Sequence, residues 1–229
     1  HHGVPRAQQP DPFATAVRPR VLACLGPAPL GESADGLALA TLYRIALSSE
    51  FMSRGGVNLV EREAFEEVLK EMDLGSSALS DQNAKLTVGK LLPASFLLIG
   101  NLFTNAAGER IFLRVVDTES SRLVATLTAA TPTGQDPTAA CADLAAQVLA
   151  ALTRTRPLEA PAAAATGNTL TAGLGSFHGA QPGMVFDVLA AEQPVGQATV
   201  VRAGEMECEL RMTGTLAAAT ADLRLREAR

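Results

Sequence analysis

Apolar and polar positions divide this chain into two regimes. Up to Leu152, short apolar runs alternate with stretches of helical period; from Thr169 onward only short strand-like runs remain, separated by Gly and Pro turns. Val21 to Leu25 reads as a buried first strand, bounded by Gly26 and Pro27. Ser33 or Asp35 caps a first helix, on which Ala38, Leu42, Ile45 and Met52 share one face that is expected to meet the core. Gly55 and Gly56 end that helix. Val57 to Val60 is a second buried strand that runs directly into a helix from Glu61 to Met72, with Phe65, Val68, Leu69 and Met72 turned inward. A third helix starts at Ser80 or Asp81 and is closed by Pro93.

The next elements read as a meander. Ser95 to Phe103 is a central strand, Asn105 to Gly108 a hairpin turn, Arg110 to Val116 a second strand, and Arg122 to Ala129 a third. A fourth helix follows, with Cys141, Leu144, Ala145, Val148, Leu149 and Leu152 on its apolar face. The predicted order is β-α-β-α-α-β-β-β-α, an α/β (α+β) sandwich, followed by a small all-β, barrel-like domain. The corresponding division is a disordered lead-in or tag remnant over 1–19, the α/β domain over 20–154, a stiff Pro/Ala-rich linker over 155–167, and the all-β domain over 168–229. So small a β module is expected to dock on its neighbour or on a partner.

Composition narrows the function more than it defines it. The chain has 229 residues, 47% of them hydrophobic and 19% charged, enough to bury a core built mainly from aliphatic side chains, since there is no Trp and one Tyr. A net charge of −5 without any block of Lys or Arg argues against a nucleic-acid surface. No apolar run is long enough to span a bilayer as a helix. The segment from His1 to Phe13 lacks the apolar middle of a signal peptide, so an exported protein would have lost its signal from this chain. His1 and His2 read as a tag remnant.

Candidate chemistry is sparse. Cys24, Cys141 and Cys208 show no metal-binding spacing; they are small buried hydrophobes, or Cys24 and Cys141 form a bridge within the first domain. The run from Gly173 to Gly179 has the look of a phosphate loop, but a strand follows it where a helix N-terminus is needed, so it reads as turns. His178 is the only internal histidine, and no nucleophile elbow accompanies it. Glu61, Glu63, Glu66, Glu67, Glu71 and Asp73 read as the solvated face of a helix. Glu61 and Arg62 mark a strand-to-helix junction, and Asp117 a turn. No catalytic, cofactor-binding or metal-binding residue is assigned.

Val60-Glu61-Arg62, the run Val68 to Glu71, Gly89 to Leu92 with Phe96 to Gly100, and Arg114 to Thr118 occur in an order that resembles the CsgG-like family of bacterial envelope proteins, over about residues 20 to 153. The runs Gly179 to Val188 and Val195 to Val200 resemble the C-terminal domain of flagellar assembly protein T. The curli secretion component builds a pore from long alternating hairpins; the runs here read as too short for a spanning strand, and Leu97 to Ile99 does not alternate. The resemblance therefore implies a periplasmic domain without the pore. It implies a non-enzymatic, periplasmic protein, free or lipid-anchored to the outer membrane, that binds other envelope proteins or itself as an assembly or scaffolding factor for an outer-membrane, flagellar or cell-wall machine. The alternative is an oligomeric subunit of a CsgG-type secretion system. The edge around Arg122, Val124 and Thr126 is the expected place for a partner strand.

Overall fold

The computed structural model describes residues 17–31, 33–60, 67, 94–213 and 222–228. Its first domain holds a five-stranded sheet in the order β2-β1-β3-β4-β5. β1 (Val21–Pro29) lies parallel to β2 (Asn58–Leu59) and to β3 (Phe96–Asn105), and β3, β4 (Gly108–Asp117) and β5 (Leu123–Pro132) form an antiparallel meander. The parallel pairs require crossovers; the meander needs only short turns, and Asn105 closes the first by accepting the Ala107 amide at 2.8 Å. Glu61, Arg62 and the two helices expected between Glu61 and Pro93 lie outside the described residues.

Two helices, α1 (Ala34–Arg54) and α2 (Thr138–Thr155), cover one face of the sheet. Ser33 caps α1 by accepting the Gly36 amide at 3.0 Å, and Gly55 terminates it at a positive φ of 68°. Leu22, Phe96, Leu98, Leu113 and Val115 from the sheet meet Tyr43, Leu47 and Phe51 from α1 and Leu144, Val148 and Leu152 from α2. Leu97 and Ile99 are buried on the opposite face with Ala23 and Val116. A strand buried on both faces carries a continuous apolar run, which is why Leu97 to Ile99 does not alternate.

The α1 expectation needs correcting. Ala38, Leu42, Ile45 and Met52 do share one face, but that face is exposed; Gly36, Ala40, Tyr43, Leu47 and Phe51 are the buried set. The helix has two apolar stripes, and the one with Tyr43 and Phe51 offers the larger area to the sheet. Strand length is a second correction, because β3, β4 and β5 each run 10 residues rather than falling short of a spanning strand. Here those strands carry the core that α1 and α2 cover.

The second domain is a closed barrel, β10-β7-β6-β11-β8-β9. Its strands are β6 (Glu159–Thr166), β7 (Thr169–Ala172), β8 (Val185–Ala190), β9 (Gln193–Ala203), β10 (Cys208–Thr213) and β11 (Leu223–Glu227). Leu170, Phe186, Val188, Leu210 and Leu225 fill it. The expected linker is instead the end of α2 followed by β6. Pro161 sits where β6 leaves β11 and takes up β7, so its missing N–H falls where the pairing changes hands, and Ala160 and Ala162 are small enough for the barrel interior. The lead-in expected over 1–19 also ends too late: Val17 packs against the barrel core. The three thiols are free, and no Cys24–Cys141 bridge forms.

Candidate functional site

Three features bring polar chemistry together. The first is the open edge of the sheet. β5 is outermost among the described strands, and only β4 pairs with it. Leu127 points into the core and Val124 packs partly against it, while Leu123 and Thr126 face water. Beside the distal half of β5 runs a groove of about 310 Å³ lined by Thr128, Thr131, Asp136, Ala140, Asp143 and Gln147. Its floor is small side chains, and its two carboxylates are Asp136, just before α2, and Asp143, in the second turn of α2. Tyr43 anchors this end of β5 from below: its hydroxyl donates to Glu109 Oε2 at 2.6 Å and lies 3.0 Å from Thr131 Oγ1. Burial first, and the Glu109 carboxylate next, push the Tyr43 phenol well above its ordinary range.

The other end of β5 is held by Asp117. Its Oδ1 accepts the Ser120 amide at 2.9 Å and the Ser120 hydroxyl at 3.0 Å, so it is the turn residue expected. Its Oδ2 meets Arg156 Nη2 at 3.0 Å, and Arg156 also binds Glu119 and lies 5.3 Å from the centre of the Phe96 ring. Burial acts to raise the Asp117 pKa, but the two Ser120 bonds and the Arg156 charge outweigh it and hold the carboxyl below its ordinary range. Arg122, the next residue expected at the edge, is exposed, and its carbonyl accepts the Asp117 amide. Arg156 was not singled out in the sequence; its place after the last turn of α2 carried no visible signal of a partner in the β4–β5 turn.

The second feature is the seam between the domains. Arg20 is 1% exposed and donates to Thr153 Oγ1 at 3.0 Å, and its Nη2 lies 2.7 Å from Glu227 Oε2. The same carboxylate accepts the Leu158 amide at 3.1 Å. On the far side of the seam Gly56 donates its amide to the Gly179 carbonyl at 2.8 Å, and Asn58 Nδ2 donates to the Phe177 carbonyl. The glycine-rich run Gly173 to Gly179 thus forms a turn that docks the barrel on the first domain. Within it His178 is buried, and its Nδ1 accepts the Gly175 amide at 3.0 Å. Burial lowers its pKa. The three cysteines have thiols pushed up to about 11 by burial.

The third feature is a cleft of about 870 Å³ where the domains meet, bordered by Arg18, Glu119, Arg156, Glu159 and Arg224. Five of the charges that line it are paired with one another, Arg156 with Glu119, Arg18 with Glu119, and Arg224 with Glu159, and Asp222 adds a further carboxylate. Among the described residues no cluster of His, Cys, Asp and Glu has the arrangement to hold a metal ion, and no helix is long and apolar enough to cross a membrane.

Residues 38–108 match the family model for the curli production assembly/transport component CsgG, a narrower span than the sequence resemblance implied. No curated protein matches the sequence. Among solved structures, the chain is similar to the LpoB C-terminal domain from Escherichia coli (12% identity, TM-score 0.42, covering 54% of this chain and 88% of that one). It is also similar to the LpoB C-terminal domain from Salmonella enterica (11%, 0.41, 52% and 87%) and to lipoprotein GNA1162 from Neisseria meningitidis (12%, 0.40, 59% and 99%). Likenesses at this level carry no functional information. The comparisons give the resemblance to flagellar assembly protein T no support.

Proposed function

We propose that this chain is a non-enzymatic protein of the bacterial envelope that works in the periplasm by binding other proteins, as an assembly or scaffolding factor. The observation that carries the reading is the edge strand β5. An unpaired edge presents a row of backbone N–H and C=O groups that a further strand can satisfy. β5 offers 10 residues of it, held rigid at one end by Asp117 and at the other by Tyr43 through Thr131. The groove beside it adds selectivity: Asp136 and Asp143 favour a segment that places basic side chains on the α2 side. The match of residues 38–108 to the curli assembly/transport component supports an envelope setting.

The test is photo-crosslinking in envelope fractions from positions 124 and 126, with position 192 on the barrel as control. A partner crosslinked at 124 and 126 but not at 192 is then purified and bound to the chain during hydrogen exchange. Every second amide between residues 125 and 131, beyond the bulge at Val124, slows if a strand has been added, because alternate amides of an edge point outward. Equal crosslinking at all three positions, or protection confined to the barrel, sinks the edge reading. Turnover of any substrate that His178→Ala abolishes sinks the non-enzymatic one.

A further inference from the structure

We propose that the exposed face of α1 is a self-association surface on which two copies of this chain meet helix to helix, antiparallel, about a twofold axis at Ile45. The stripe Ala38, Leu42, Ile45, Ser49, Met52 advances in steps of four, three, four and three residues, the spacing of a coiled-coil seam. All five positions are exposed, with Leu42 at 48%, Ile45 at 55% and Met52 at 70%. No charged residue lies on the stripe. Arg44 lies against Gly26 on the sheet side, and Glu50 and Arg54 pair with each other at 3.0 Å. A soluble helix ordinarily turns its polar side to water; this one carries an inward and an outward apolar stripe, and among the described residues only the inner one is covered.

The sequence of the stripe selects both the occupant and its direction. With a second copy antiparallel about Ile45, facing positions sum to about 90: Met52 faces Ala38 of the other copy, Leu42 lies across from Ser48 and Ser49, and of the large side chains only Ile45 meets its own like. A parallel pair would set Met52 on Met52 and leave Ala38 opposite Ala38, an overfilled layer and an empty one. Charge agrees. α1 carries Asp35 in its first turn and Arg54 in its last, so antiparallel copies bring opposite charges together at each end and align the helix dipoles favourably, whereas parallel copies stack Asp35 on Asp35. Leu37, 56% exposed, borders the same face. These side chains cover roughly 400 Å² a side, or about 800 Å² in total, below the roughly 1,200 Å² of stable specific interfaces, so the dimer is a weak and transient one.

The experiment is sedimentation equilibrium of the full chain up to about 1 mM, the range in which a small interface populates a dimer. The wild-type chain is expected to dimerise reversibly. Ile45→Glu and Ile45→Lys each weaken the dimer at least tenfold while leaving the circular dichroism unchanged, because the position is exposed. Mixing the two variants restores a dimer, because only a twofold at residue 45 sets the introduced charges face to face. A chain that stays monomeric at that concentration, a dimer indifferent to Ile45→Glu, or two weakened variants that do not rescue each other overturns the proposal. A dimer broken by Thr126→Pro and not by Ile45→Glu assigns self-association to the β5 edge instead, which separates this inference from the strand-addition reading.

Discussion

Arg20 and Glu227, 207 positions apart in the chain, form a 2.7 Å ion pair inside the seam between the two domains. Arg20 is buried and the Glu227 side chain is 10% exposed; Thr153 and the Leu158 amide add hydrogen bonds to the pair, while Arg20 Nε is buried without a hydrogen-bond partner. The pair links the residue before β1 to the last residue of β11, so the two ends of the described chain hold the domains together.

Removing one member strands the other. Arg20→Ala is expected to destabilise the chain by roughly 3–5 kcal/mol, the cost of leaving a buried carboxylate without its partner. The double variant Arg20→Met with Glu227→Gln should recover most of that loss, because neither position then carries a charge to desolvate and the Gln carbonyl still accepts the Leu158 amide. Guanidinium melts of the three proteins test this. A double variant as unstable as Arg20→Ala would show that the pair contributes more than mutual satisfaction.

Tyr43 is the only tyrosine and the chain has no tryptophan, so absorbance near 295 nm reports on this one phenol. Burial and the Glu109 carboxylate disfavour its ionised form. A spectrophotometric titration should show no phenolate at pH 10, where a free tyrosine is half ionised, until the protein unfolds. Tyr43→Phe should cost about 1–3 kcal/mol, because the buried Thr131 hydroxyl loses a partner. Ordinary titration near pH 10 in a folded sample would contradict the buried hydrogen bond.

His178 titrates in the opposite sense to a histidine that gains an anionic partner. Its folded pKa lies below the ordinary 6.5 because burial disfavours the imidazolium, and its Nδ1 is occupied as an acceptor. Between the folded and unfolded values the unfolded chain binds more protons, so stability rises with pH there. The contribution is complete above pH 6.5 and is lost as pH falls through the folded pKa. Melting temperatures from pH 8 to pH 5 should fall more steeply for the wild type than for His178→Gln. Parallel curves would remove His178 from the acid response.

Gly179 and Gly183 separate backbone strain from docking. Both have positive φ, 97° and 93°, so alanine is strained at either. Only at Gly179 does an added Cβ meet something, the Gly56 carbonyl carbon at 2.9 Å across the seam. Gly183→Ala should cost about 1 kcal/mol of strain, and Gly179→Ala roughly 1–3 kcal/mol more as the barrel is pushed off the first domain. Thermal melts of the two variants check this; equal losses would mean that the contact with Gly56 yields easily.

What the sequence by itself determined is local. Ser33 and Gly55 bound α1, the spacing from Cys141 to Leu152 identifies the face of α2 that is buried, and the turn at Asn105 to Gly108 dictates the β3–β4 hairpin, because caps, turns and period are set by neighbours in the chain. Asp117 was legible as a turn residue for the same reason. Tertiary structure alone decided which of the two apolar stripes of α1 meets the sheet, since both have helical period and only the shape of the sheet face prefers Tyr43, Leu47 and Phe51. It also decided that Glu159–Thr166 is a barrel strand: composition reads Pro and Ala as a linker, but small side chains suit a tight interior once β7 and β11 are there to pair. Arg20, Arg156 and Glu227 were invisible for a related reason. A buried ion pair is defined by a partner far away in the chain, and no local pattern announces one.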